Sequence, residues 1–84
     1  MNNENHQISL SKEHIDSIMA LYLSGRLIEA IDAIKLLNEK YPNVPLLFNI
    51  LGACYKGNGQ LKQSVKMYET AVAIKPDYAE AHNN

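Results

Sequence analysis

The chain has 84 residues, 46% of them hydrophobic and 20% charged, with a formal net charge of −1. That balance argues against a nucleic-acid binder, which normally carries a basic patch. The apolar runs fall far short of a membrane span, and Met1-Asn2-Asn3-Glu4-Asn5 lacks the basic and apolar regions of a signal peptide. A domain of this size buries only about 60% of its unfolded surface, so the chain holds one small domain at most.

Cys54 is the single cysteine, and no Asn-x-Ser/Thr acceptor is present. Both facts suit a reducing, cytoplasmic setting. Cys54 reads as a small buried residue rather than a reactive thiol.

Residues 1–10 are polar and without pattern, and are expected to form a flexible N-terminal tail. Ser11 is a suitable helix N-cap, with Glu13 in the first turn at the positive end of the dipole. Leu10 and Ile15 are spaced for a hydrophobic staple across that cap. A first helix is predicted from about Lys12 to Leu23, broken by Ser24-Gly25-Arg26. A second follows from about Leu27 to Lys40, with Leu27, Ile31, Ile34 and Leu37 on one stripe. Two prolines in Tyr41-Pro42-Asn43-Val44-Pro45 force a turn.

The cycle then repeats. A third helix runs from Pro45 or Leu46 to about Lys56, and Gly57-Asn58-Gly59 breaks it. The flanks of that Asn-Gly lack period-two alternation, which rules against a β-hairpin. A fourth helix spans about Gln60 to Ile74, with Leu61, Val65, Tyr68 and Val72 on one face. Lys75-Pro76-Asp77 turns again, and Tyr78 to Asn84 reads as the start of a fifth helix. Short connections make neighbouring helices antiparallel.

The two halves superimpose under a shift of 34 residues, which places Gly25 on Gly59, Leu27 on Leu61, Ile31 on Val65 and Pro42 on Pro76. A fixed period of this length marks stacked helical hairpins. The second unit reads Phe48-x-x-Leu51-Gly52-x-x-Tyr55, then Ser64-x-x-x-Tyr68, then Pro76. This pattern resembles the tetratricopeptide repeat (TPR), with Ser64 where the family prefers Ala. Gly52 and Ala71 are the small residues where neighbouring helices approach. The first unit is degenerate: His14, Ser17 and Ile18 replace the aromatic, Leu and Gly, and Leu21 replaces Tyr. A terminal repeat is expected to be atypical, because one side faces solvent.

The resemblance implies an all-α, TPR-like α-solenoid: two antiparallel helical hairpins plus the start of a third. The expected division is a tail over 1–10, a degenerate first repeat over 11–44, a well-matched second over 45–78 and a truncated third over 79–84. In proteins of this kind the first helix of each hairpin lines a concave surface that cradles a peptide or partner helix. Carried over, the groove would present Lys12, Ile15, Met19 and Tyr22 from the first unit, Asn49, Ala53 and Lys56 from the second, and Asn83 from the third. Ile15, Met19, Tyr22 and Leu23 are also suited to packing on the tail or on the second helix. Some TPR domains hold a C-terminal carboxylate with Lys and Asn in the first repeat. Those positions are Ile15 and Met19 here, so such a clamp is not expected.

His6, His14 and His82 are scattered and lack metal-ligand spacing; they read as solvated surface residues. Gly57-Asn58-Gly59 lacks the strand and the Gly-Lys-Ser/Thr ending of a phosphate loop. No nucleophile–base pair stands out, so no catalytic, cofactor or metal residues are assigned. The expected function is protein–protein interaction through the concave face. The alternative is a recruiting or oligomerising N-terminal domain of a larger enzyme, such as a glycosyltransferase or sulfotransferase. A face of the fourth helix (Val65, Tyr68, Val72) lacks a full helix to cover it. The chain is therefore expected to be the N-terminal part of a longer protein, or to pair with a second copy through that end. Neither nucleic acid nor membrane is an expected partner.

Overall fold

The computed structural model describes residues 10–77. Four α-helices follow in order: α1 (Lys12–Leu23), α2 (Leu27–Lys40), α3 (Pro45–Gly57) and α4 (Leu61–Ile74). No strand occurs among the described residues. The fold is an all-α helical repeat, with bounds within one residue of those predicted.

The period is written into the backbone of the turns. Ser24 and Asn58, one repeat apart, sit at φ −87°, ψ 4° and φ −91°, ψ 6°. Gly25 and Gly59 share φ +81°, a left-handed conformation that glycine adopts without strain. Arg26 N–H donates to the Leu21 carbonyl at 2.9 Å, and Gln60 N–H to the Tyr55 carbonyl at 2.8 Å. Each turn is thus a Schellman closure that satisfies carbonyls at the helix end. In the α2–α3 connection Asn43 takes φ +66°, which asparagine tolerates better than most side chains.

α1 begins as Ser11 predicts. The Ser11 hydroxyl accepts from the His14 backbone N–H at 3.2 Å. His14 Nδ1 accepts from the Ser11 N–H at 3.2 Å, closing a capping box. His14 also lies 5.7 Å from Tyr41, ring centroid to ring centroid. The expectation of a merely solvated His14 is therefore corrected: it is half-buried and ties the start of α1 to the end of α2.

The core is built from Ile18 on α1, Ala30, Ile31 and Ile34 on α2, and Leu47, Ile50, Leu51, Cys54 and Tyr55 on α3. Leu10, placed in the expected tail, packs half-buried against this cluster, as does Ile15. α3 packs most intimately with α4 and also contacts α2. Between α3 and α4, a Cβ on Gly52 would fall 2.7 Å from the Tyr68 ring. The ring fills the space that the missing side chain leaves. In the first repeat the same two positions hold Ile18 and Ile34, both fully buried. A small–large pair has become two medium side chains, so the departure from the repeat pattern at Ile18 conserves volume.

Ser64 is a second local adaptation. Its hydroxyl donates to the Gly52 carbonyl at 2.8 Å within the α3–α4 contact. A buried hydroxyl costs free energy unless paired, and here it is paired.

Candidate functional site

α1 and α3 are the first helices of the two hairpins, and their half-exposed residues lie on corresponding positions. Ile15, Met19 and Tyr22 on α1 are half-buried and pack against the core. Asn49 and Ala53 on α3 are half-buried, and Lys56 is exposed. Lys12 is exposed and forms an i, i+4 ion pair with Asp16 at 2.9 Å. That hydrogen bond, with the Asp16 charge, holds the Lys12 pKa above its usual value. Asn83 lies outside the described residues.

Three of these residues meet in one place. Tyr22, Ala53 and Lys56 line a cleft of about 330 Å³, together with Gly57 and Tyr68. Helical geometry explains the convergence. Tyr22 and Lys56 stand one repeat apart, at the last turns of parallel helices, so they form neighbouring rungs. Ala53 lies three residues before Lys56 and shares its face of α3. Tyr68 enters from α4, where burial raises its phenol pKa above the usual value. The sequence placed Tyr68 on a helix face and did not assign it to the groove. Its spacing from Gly52 was the available signal, because the glycine admits the ring to the α3 side.

Ile15, Met19 and Asn49 do not line this cleft. The two apolar residues contribute to the edge of the core, so the packing reading of them is realised at least in part. Ile50, at the position matching an asparagine rung in other repeats, is buried in the core.

A second cleft, of about 300 Å³, opens elsewhere between α1 and α2, lined by His14, Ser17, Ile18, Ala33, Leu36, Leu37 and Lys40. Leu36 is well exposed beside it. Sequence reasoning missed it: Leu36 falls off the stripe of α2, and nothing in the pattern marks a depression there.

Residues 52–84 match the family model described as the TPR repeat. Over these 33 of its 84 residues the chain is similar to the TPR family. The match spans the well-patterned second repeat from Gly52 onward and continues past the described residues. No curated protein and no solved structure shows significant similarity to the chain. TPR repeats are, as a class, protein-interaction modules and typically non-catalytic. Among the described residues no group of three or more His, Cys, Asp or Glu is placed to hold a metal ion. No described helix is long and apolar enough to cross a membrane.

Proposed function

We propose that this chain binds a protein segment, a peptide or a helix, along the concave face formed by α1 and α3. The observation that carries the reading is the cleft shared by Tyr22, Ala53 and Lys56, residues drawn from consecutive hairpins. A surface assembled across repeats suits an extended ligand that touches each hairpin in turn. Met19 and Asn49 extend the same face, the first as an adaptable apolar contact and the second as a backbone-matching amide. A photo-crosslinking side chain placed at Lys56 should trap a partner that one placed at Glu39, an exposed position on α2, does not. Equal trapping at both positions would sink the proposal.

A second reading, self-association, has its own observation. Ile31 on α2 is buried in the core shared with α3 and Leu27 is half-buried, whereas their counterparts on α4, Val65 and Leu61, are 52% and 61% exposed. Among the described residues, the face covered on α2 is open on α4, which supports this reading. A second copy packed α4 against α4 would cover both residues. Sedimentation over a range of concentrations should then show a dimer that Val65→Lys dissociates. A monomer at all concentrations would rule this out.

A further inference from the structure

The cleft at the ends of α1 and α3 has a chemistry that its shape does not require. Tyr22, Ala53, Lys56, Gly57 and Tyr68 line it, and none of them is acidic. We infer that it is a subsite for the carboxylate of an Asp or Glu side chain in the bound segment, held by Lys56 with the Tyr22 and Tyr68 hydroxyls as further donors. The inference rests on the concave-face reading above and specifies what that face selects.

Lys56 is the cation that lines this cleft. The cations Lys12 and Arg26 are engaged by Asp16 and Glu29 on their own helices. Lys56 joins no ion pair among the described residues. An ammonium offers donors and no acceptor, and a phenol offers one donor; an ionised carboxylate only accepts. The three groups are therefore matched to a carboxylate and mismatched to a lysine or arginine side chain. Tyr22 from α1 and Tyr68 from α4 both line the cleft beside Lys56. Ala53 and Gly57 add no bulky side chain to the lining. At about 330 Å³ the cleft is roomy enough to admit a side chain.

The test uses a short fluorescent peptide carrying two central glutamates, and its glutamine and lysine twins. Anisotropy at low salt should show the glutamate peptide binding about fivefold tighter than the glutamine one, the scale of an exposed charge pair. Added salt should shrink that margin. Lys56→Met, at an exposed position that leaves the core untouched, should abolish the preference, and Lys56→Glu should reverse it towards the lysine peptide. Amide NMR shifts at Ala53, Lys56 and Gly57 locate the bound peptide. Equal binding of the glutamate and glutamine peptides, with those amides shifting, overturns the carboxylate subsite and leaves the concave-face reading intact. A preference that survives Lys56→Met also overturns it. Failure of all three peptides to bind at about 1 mM overturns both readings.

Discussion

Gly52 and Tyr68 pack in close contact across the α3–α4 interface. A methyl group at position 52 would sit 2.7 to 2.9 Å from three atoms of a rigid, buried ring. Gly52→Ala should therefore destabilise by about 1–3 kcal/mol, in spite of alanine's better helix propensity. Adding Tyr68→Leu should cost less in that background than alone, measurable as a double-mutant cycle in urea. Strict additivity would show that the ring moves aside freely. Cys54 supplies a second prediction at this scale. It is fully buried, and burial pushes its thiol pKa from 9.0 to about 11. Between those values the unfolded chain releases a proton that the native chain retains. Stability is then full below about pH 9 and falls as pH rises towards 11. Tyr68, raised for the same reason, adds to the alkaline loss. Urea titrations across this window should show the fall, and Cys54→Ala should flatten it. In native protein, thiol labelling should follow unfolding rather than exposure.

At the scale of elements, the turns are copies. Gly25 and Gly59 share one φ, and a Cβ would meet nothing within 4 Å at either site. The cost of Gly25→Ala and Gly59→Ala is then conformational alone, about 1 kcal/mol each and equal within error. Unequal values from thermal melts would mean that the hairpins are closed by different forces. These turns, and the helices between them, were legible because glycine and proline act locally and announce themselves in any context. The Ser11 cap was legible for the same reason. His14 was not. A capping box is normally read from Glu or Gln at the third position, and the histidine's second role, its contact with Tyr41, depends on a residue 27 positions away. Nor could the sequence divide Ile15, Met19 and Tyr22 between core and groove. All three share one helical face, and only the placement of α3 and α4 sends Tyr22 alone into the cleft. Lys56 and Ala53 were easier, because the family pattern fixes the face of α3 on which they stand.

For the whole molecule, α3 is the keystone. It packs against both α2 and α4 and holds six buried residues, Leu47, Ile50, Leu51, Gly52, Cys54 and Tyr55, against one on α1. Native-state hydrogen exchange should find the slowest amides on α3 and faster ones on α1. Uniform protection across the four helices would show that the chain opens only as a unit. The first helices of the two hairpins also differ in character. Where α3 turns Leu47, Ile50, Leu51 and Cys54 inward, α1 has Glu13, Asp16, Ser17 and Ala20 at the corresponding positions, all exposed. That substitution gives the stack a direction. Fused ahead of an unrelated array of helical hairpins, α1 and α2 would act as a doorstop, with the greasy flank of α2 meeting the newcomer and the charged flank of α1 turning further hairpins away.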